Sequence, residues 1–516
     1  MSALSPDTPV AVIGAGTMGA GIAQVAAAAG HRVFLHDVDA AAVEGAVRQI
    51  EAELDRLRDK GRIDARERNA IAARITACTQ LDTFAGAGLA IEAIVEDLDA
   101  KRKLFAALEE QLSDTAILAS NTSSLSITAI AAGLEHPQRV AGMHFFNPAP
   151  VMRLVEIVRG AETSADTAGT LRDTAAAWGK VPALAESTPG FIVNRVARGF
   201  YAEGLRALAE QAADAATVDA VMRECGGFRM GPFELIDLIG VDVNHAVTRS
   251  VYEAFFFDPR FRPSLVQQGL IDAGRLGRKS GHGFYRYGDG AERQPPQTAA
   301  RADAPEYVIA HGSLGPAQRL VDLIDASPVS LRIGSHHDLH ALDAEDVVIA
   351  LTDGRSATQR AAELGKPVVL FDLAFDYMSA GRIALAPADQ CSAAELDRAV
   401  GLVQALSKSV SVIDDFPGML VMRTVAMLAN EAADAVLQGV ASPGDIDAAM
   451  QAGVNYPLGP LAWADRIGLE HVVATLDNLR ATYGEERYRA SAWLRRSLFA
   501  DRSAAAGRVQ RERDNG

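Results

Sequence analysis

The 516-residue sequence predicts two α/β segments, each followed by an all-helical domain, the second pair a partial copy of the first. Three observations predict it. A strand, a glycine-rich turn and a helix open the chain. Short apolar runs then alternate with helical patterns, as a parallel α/β segment requires. And the helical part recurs, S-T-P-G-F-I-V-N-R (Ser187 to Arg195) returning as D-F-P-G-M-L-V-M-R (Asp415 to Arg423).

The opening element spans Pro9 to Asp39. An apolar run, Val10 to Ile13, leads into Gly14-Ala15-Gly16-Thr17-Met18-Gly19, then an Ala-rich helical pattern to Gly30 and a second apolar run ending at Asp37. Gly14 permits the tight turn, Gly16 lets the backbone approach a pyrophosphate, and Gly19 lets helix and strand pack closely. Free N–H groups at the helix start, those of Thr17 and Met18 among them, then face the phosphates. This is a Rossmann-type dinucleotide site. Asp37, eighteen positions after Gly19, is placed to bind ribose hydroxyls and repel a 2′-phosphate, selecting NAD over NADP. Its bland alternative is a solvated strand-end carboxylate.

Further strands are read at Leu89 to Val95, Ala116 to Ser120, Val140 to Phe146 and Leu154 to Val158. The second α/β segment has runs at Tyr307 to Ala310, Val329 to Ile333, Asp346 to Leu351, Pro367 to Leu373 and Ile383 to Ala386, also a parallel pattern. Its first turn, His311-Gly312-Ser313-Leu314-Gly315-Pro316, breaks the glycine triplet and puts a proline where the phosphate-facing helix begins, so it is read as degenerate and without nucleotide. In the helical repeat, Pro189 and Pro417 stand 228 residues apart. The same offset pairs Arg195 with Arg423, Glu203 with Glu431, Asp219 with Asp447, Asp237 with Asp465 and Gly240 with Gly468. Such a repeat means one structural unit used twice. The domains are therefore a Rossmann domain (1–186), an all-α domain (187–286), a linker (287–304), a degenerate Rossmann-like domain (305–413), a second all-α domain (414–502) and a charged, frayed tail (503–516).

Composition narrows the partners. Hydrophobic residues at 49% and charged residues at 22% fit a globular protein, and a net charge of −16 argues against nucleic acid or an anionic membrane. No apolar run approaches the ~20 residues of a membrane span. Three scattered cysteines give no metal spacing, and residues 1–9 lack a signal-peptide layout, so a cytoplasmic protein without metal is expected.

Three motifs carry the chemistry: Ser120-Asn121-Thr122-Ser123-Ser124, Gly142-Met143-His144-Phe145-Phe146-Asn147-Pro148 and Leu154-Val155-Glu156. His144 ends an apolar strand, where open α/β sheets bind ligands, and Glu156 lies on the next. A His beside a carboxylate makes a general base with a stabilised imidazolium. With NAD nearby, the reaction this suggests is alcohol oxidation. The plainer alternatives are a core histidine, a helix-capping Asn121 or Ser123, and an Asn194 that only caps or links helices.

In order and spacing, N-T-S-S-L, G-x-H-F-F-N-P-x-P-V-M-x-L-V-E, T-P-G-F-I-V-N-R and G-P-F-E-L-x-D resemble the L-3-hydroxyacyl-CoA dehydrogenases over residues 8–287. The resemblance implies that His144 is the base, Glu156 its partner, Ser123 a hydroxyl touching substrate and nicotinamide, and Asn194 an amide positioning the substrate. It implies that Glu96, Lys101 and Asn121 line the NAD site and that Lys279 closes over the cofactor. The basic helical segment from 48 to 74 resembles the family's hairpin toward CoA, with Arg48, Arg56 and Lys60 as contacts; a solvated helix pair is its equal alternative. The family's helical domains pair as twins, which implies pairing within this chain or in a homodimer. The implied substrate is an acyl-CoA, and the long two-copy form resembles enzymes of phenylacetate and aromatic catabolism that take 3-hydroxyadipyl-CoA; 3-hydroxybutyryl-CoA is the other candidate. In the second half Met422 replaces Asn194 and no H-F-F-N-P occurs near Ile383 to Pro387, so that half is expected to be inert. Two rivals stay open: a dehydrogenase of free hydroxy acids, and a structural or NAD-sensing protein. The intact Ser123, His144, Glu156 and Asn194 speak against the latter.

Overall fold

The computed structural model describes residues 2–84, 86–336 and 339–507. Its first elements are β1 (Val10–Ile13), α1 (Thr17–Ala28), β2 (Val33–His36), α2 (Ala40–Asp59), α3 (Ala65–Ala73), β3 (Ile75–Cys78), β4 (Leu89–Glu92), α4 (Leu98–Gln111), β5 (Ile117–Ser120) and α5 (Ile127–Ala131). Then come β6 (Val140–Phe145), β7 (Leu154–Arg159), α6 (Ala165–Ala177), β8 (Val181–Glu186) and α7 (Val193–Val196). Five helices follow: α8 (Arg198–Ala209), α9 (Ala215–Glu224), α10 (Pro232–Ile239), α11 (Val241–Ala254) and α12 (Leu265–Asp272). The second α/β region holds β9 (Tyr307–His311), α13 (Arg319–Asp325), β10 (Ser330–Ile333), β11 (Ala341–Ala344), β12 (Val347–Leu351), α14 (Ala357–Leu364), β13 (Val368–Phe371), β14 (Arg382–Pro387), α15 (Ala393–Ala405) and β15 (Ser409–Val412). The chain closes with α16 (Val421–Leu437), α17 (Pro443–Val454), α18 (Pro460–Ile467), α19 (Leu469–Tyr483) and α20 (Ala492–Phe499). These form two compact units: the chain up to Arg195 with Gln438–Val454, and Val196–Leu437 with the chain from Asn455 onward.

In the first unit the sheet order is β3-β2-β1-β4-β5-β6-β7-β8, with β6 and β7 antiparallel and every other pair parallel. Strand side chains alternate between two cores. Val10 and Val12 pack with α1 on one face, Ala11 and Ile13 with Phe105 of α4 on the other. Strands buried on both faces read as continuous apolar runs, which is why β1, β2 and β4–β7 stand out in sequence. Edge strand β3 has exposed Thr76 and Ala77, and β8 is half-buried, so neither shows that signal. Helix α17 packs on β7 and β8: Glu186 N–H donates to Val440 O (2.7 Å) and Leu184 N–H to Asp445 Oδ1 (3.2 Å). Gly453 lies where a Cβ would sit 2.5 Å from Leu154.

The second unit has the order β10-β9-β11-β12-β13-β14-β15. It corrects the parallel pattern expected there: β11 is antiparallel to both its neighbours, and β13 to β14. The exchange of helices is reciprocal, because α9 packs on β14. Asp414 N–H donates to Ala212 O (2.9 Å), the counterpart at the 228 offset of the Glu186–Val440 bond. Helices α8 and α16 cross at Gly199, whose Cβ would lie 3.6 Å from Leu428 N and 3.7 Å from the carbonyl carbon of Met427, the residue equivalent to Gly199. A residue meeting its own equivalent marks an isologous, two-fold-like pairing. Around the crossing, Glu203 is buried between Arg423 (2.6 Å) and Arg487, and its equivalent Glu431 meets Arg260 at 3.1 Å.

The expected linker is not free throughout. Ala299 N–H donates to Val410 O of β15 (2.8 Å), and Ser411 Oγ to Gln297 O (2.7 Å). The start of the expected frayed tail is anchored too: Asp465 accepts from Ala504 N–H (2.6 Å) and Ala505 N–H (3.1 Å), and Ala504 is buried. The rest of that tail, 508–516, lies outside the described residues. Glu203→Gln leaves two buried guanidiniums short of a counter-charge, so chemical denaturation is expected to show a loss of about 3–5 kcal/mol. Adding Arg423→Met is expected to recover part of it.

Candidate active site

The glycine turn sits between β1 and α1. Gly14 has φ +105° and a Cβ there would clash with Ala93 O, while a Cβ on Gly19 would clash with the Gly14 carbonyl. Gly16 has open space beside it. Helix α1 has no side-chain cap, so the N–H groups of Thr17, Met18 and Gly19 have no side-chain acceptor. A diphosphate fits this cradle: room over Gly16 and uncapped donors beneath. Asp37 ends the next strand and accepts Ala15 N–H (2.8 Å) and Asp39 N–H (3.1 Å). Its carboxylate is thereby fixed against the turn, with lone pairs left for ribose hydroxyls.

The loop after β5 is organised by carboxylates. Glu96 Oε1 accepts from Thr122 Oγ1 (2.6 Å), Ser123 N–H (3.0 Å), Ser124 N–H (3.1 Å) and Ser124 Oγ (2.8 Å). Burial works against its charge, but the Thr122 hydroxyl, the Lys101 ammonium and the Ser124 hydroxyl hold its carboxyl below the usual range. Lys101 is 1% exposed, clamped between Glu92 (2.5 Å) and Glu96 (3.2 Å). Its ammonium holds Glu96 from behind the loop. Ser123 has no hydroxyl hydrogen bond among the described residues. Asn121 Oδ1 accepts Phe145 N–H (2.8 Å), pinning the loop to the end of β6.

His144 and Glu156 face each other directly across the antiparallel β6–β7 pair. His144 Nδ1 lies 2.6 Å from Glu156 Oε2, and both side chains are buried. Glu156 Oε1 accepts N–H groups of Ile192 (3.0 Å) and Val193 (2.9 Å), the start of α7. The same carboxylate thus orients the imidazole and sets the segment carrying Asn194. Phe191, at φ 47°, turns its ring edge to His144 at 5.8 Å. Nδ1–H toward the carboxylate leaves Nε2 as the basic nitrogen. Glu92, Phe191 and Lys180, whose Nζ donates to Ala149 O and Met152 O and is pushed down to about 8 by burial, were not read from sequence. Glu92 carried a signal, a charge ending an apolar strand as Asp37 does.

The remaining expected residues make other pairs. Arg48 pairs with Glu44 (3.5 Å) and Arg56 with Glu53 (2.6 Å) on the exposed face of α2, with Lys60 at its C-terminus. Lys279, in the second unit, pairs with Asp242 at 2.7 Å.

In the second copy the strand equivalent to β6 is β13, not Ile383 to Pro387, which matches β7; the expected comparison was one strand late. The sequence there is Asp372-Leu373-Ala374-Phe375-Asp376. Asp372 replaces His144 and Ala384 replaces Glu156. The fully buried Asp372 accepts N–H groups of Leu420 (2.9 Å), Val421 (2.8 Å) and Met422 (3.0 Å), so it seats the helix as Glu156 does. Burial pushes its carboxyl up to about 6 against those donors. At the second turn Gln318 Oε1 accepts Leu314 N–H (3.0 Å), Pro316 has no N–H, and a Cβ on Gly315 would sit 2.6 Å from His471. That turn is filled.

Family models match almost the whole chain. The 3-hydroxyacyl-CoA dehydrogenase NAD-binding domain matches residues 9–188, its C-terminal domain matches 190–287 and 418–510, and the 3-hydroxybutyryl-CoA dehydrogenase reduced Rossmann-fold domain matches 349–417. A 3-hydroxyadipyl-CoA dehydrogenase of Escherichia coli K12 is 45% identical over 95% of this chain and 98% of its own. A probable 3-hydroxybutyryl-CoA dehydrogenase of Deinococcus radiodurans is 41% identical over 54% of this chain and 99% of its own. The crystal structure of a 3-hydroxybutyryl-CoA dehydrogenase from E. coli K12 superposes with a TM-score of 0.88 at 44% identity, over 96% of this chain and 99% of that one.

Two outcomes test the site. Asp37→Ser is expected to narrow the NAD-over-NADP ratio of kcat/KM by about tenfold or more, since a like-charge clash costs several kcal/mol. A wild type indifferent to the 2′-phosphate removes that role. Met422→Asn added to His144→Gln is expected to restore no turnover, because Asp372 occupies the position of His144 and the second turn is closed.

Proposed function

The chain belongs to the 3-hydroxyacyl-CoA dehydrogenase family, and from that premise we propose that it oxidises the 3-hydroxyl of 3-hydroxyadipyl-CoA or 3-hydroxybutyryl-CoA, with His144 as base. The family's NAD-binding domain makes NAD the cofactor. When bound, NAD would supply the acceptor for the hydride of the carbinol carbon. Gly14, Gly16, Thr17, Met18, Gly19 and Asp37 hold it, with Glu96 and Asn121 shaping the adjoining loop. His144 Nε2 takes the hydroxyl proton, and Glu156 neutralises the imidazolium so formed. Asn194 and Ser123 orient the substrate oxygens. The observation that carries this is the buried cross-strand His144–Glu156 pair at 2.6 Å.

The assignment of acyl chain rests on the relatives' names. Lys60, without an ion pair among the described residues, and the outer face of α2 support the CoA hairpin as the handle, with Arg48 and Arg56 exchanging carboxylate partners for phosphate. We place the helical twin inside the chain, on the support of the Glu203–Arg423 and Arg260–Glu431 pairs; a homodimer is the outcome that would replace it. No helix among the described residues is long and apolar enough to cross a membrane.

Steady-state kinetics with NAD and the two acyl-CoA substrates, each against its free hydroxy acid, tests the reading; equal use of the free acids would overturn it. His144→Gln is expected to lower kcat by about 10²–10⁴ while NAD affinity holds, because Gln fills similar space without accepting a proton. A fall below about tenfold would remove His144 as the base. Glu156→Gln is expected to lower kcat as well.

A further inference from the structure

A fully buried carboxylate, that of Glu92, ends β4 beside the loop that carries Ser123. Its Oε1 accepts Ile94 N–H (2.7 Å) and the Lys101 ammonium (2.5 Å), and its Oε2 accepts the Ser120 hydroxyl (2.7 Å). The Ser120 oxygen in turn accepts Thr122 N–H (3.1 Å), and Asn121 N–H donates to the main-chain oxygen of Glu92 (2.8 Å). Lys101 carries the chain of charges onward to Glu96 (3.2 Å). There Glu96 Oε1 collects the N–H groups of Ser123 and Ser124 and the hydroxyls of Thr122 and Ser124. Of the hydroxyls in this run, that of Ser123 alone makes no hydrogen bond among the described residues. The loop is tied down on every side of the one group it leaves free.

The second copy closes its sheet without such a chain. There β12 pairs in parallel with β13 as β5 does with β6, so β12 stands for β5. Thr352-Asp353-Gly354-Arg355 follows it, and Asp353 pairs with Arg355 inside that loop. The strand beside β12 is the hairpin strand β11, whose Asp343 meets an exposed Lys366 (3.2 Å). No buried glutamate–lysine pair stands there among the described residues. A buried ion pair is also an expensive way to join two strand ends, since its desolvation can exceed the Coulombic gain and neutral side chains often pack as well. What the Glu92–Lys101 pair adds is a cation that cannot move, set against Glu96.

We propose that Glu92 is a positioning residue of the dehydrogenase site: through Ser120, and through Lys101 and Glu96, it fixes the backbone that presents the Ser123 hydroxyl. The step from loop to turnover rests on the role given to Ser123 above; the hold on the loop does not.

The full-length wild type is compared with Glu92→Gln, with Glu92→Gln/Lys101→Met, with Ser123→Ala, and with Ser123→Ala added to each of the first two. Without ligand, hydrogen–deuterium exchange over residues 120–126 is expected to rise roughly tenfold in both Glu92 variants, as loss of a charge-assisted bond does. The Tm of the doubly neutral variant is expected to stay near that of the wild type, because both charges leave together. With NAD and 3-hydroxybutyryl-CoA, kcat is expected to fall roughly tenfold in each Glu92 variant, but by no more than about twofold where Ser123 is already alanine, since changes acting through one group do not add. NADH affinity, read by fluorescence titration, is expected to hold. Equal fractional losses of kcat in the two backgrounds overturn the proposal. So do unchanged exchange, a fall in NADH affinity with kcat unchanged, and loss of folding in both Glu92 variants, which would make the pair a packing element only. If Ser123→Ala alone leaves kcat unchanged, or the wild type does not turn over this substrate, the role of Ser123 or the proposed reaction fails. The exchange of residues 120–126 then still decides whether Glu92 holds the loop.

Discussion

A carboxylate removed from water must find N–H donors or a cation, and that need links the sheets of this protein to the helices that follow them. In the first unit Glu156 binds the N–H groups of Ile192 and Val193 and holds the His144 imidazole with its other oxygen. One side chain therefore joins strand, base and helix start. Asp219 repeats the capture on Phe233 and Glu234, at 3.0 and 2.9 Å, and Asp237 on Phe284 and Tyr285, at 3.0 and 2.9 Å. Moving any of these carboxylates strands both the anion and the backbone donors it serves.

The second copy meets the same need from the neighbouring strand. With alanine at the Glu156 position, Asp372 supplies the carboxylate from the His144 position, and a shorter side chain on the other strand of the pair reaches the same helix start. The scaffold requirement is met and the histidine–carboxylate pair is lost in one exchange. The helical pairing then uses both copies: Glu203 from one meets Arg423 and Arg487 from the other, and Arg260 meets Glu431.

The sequence made legible what depends on local spacing. The glycine turn, Asp37, the strands buried on both faces and the 228-residue repeat all rest on positions within one element or on direct self-comparison. Strands β3 and β8 escaped because edges are half-solvated, and β11 because a short hairpin strand of Ala-Leu-Asp-Ala carries no clear alternation. The run at Pro367 to Leu373 was read, but its equivalence to β6 was not, because apolar strands resemble one another and only Asp372 distinguishes it. Long-range placement was not legible at all. Nothing in I-V-E-D-L-D-A-K says that Glu96 collects four hydrogen bonds from residues 122–124, or that Lys101 is sealed behind it. The exchange of α9 and α17 between sheets likewise depends on contacts far apart in the chain.

Two copies in one chain also separate what the fold demands from what the chemistry demands. Both keep the left-handed turn, Gly190-Phe191 and Gly418-Met419, and both keep the buried arginine and glutamate of the helical layer. These positions hold backbone geometry and buried charge, which any packed copy must satisfy. The copies differ at His144, Glu156 and Asn194, and at the glycine turn, where open space over Gly16 contrasts with a Gly315 pressed by His471. None of those is needed to pack the second copy, whose equivalent positions are filled by Asp372, Ala384 and Met422 without exposing any of them. A histidine that the scaffold can do without, yet that the first copy keeps buried and paired with a carboxylate, is not accounted for by packing alone.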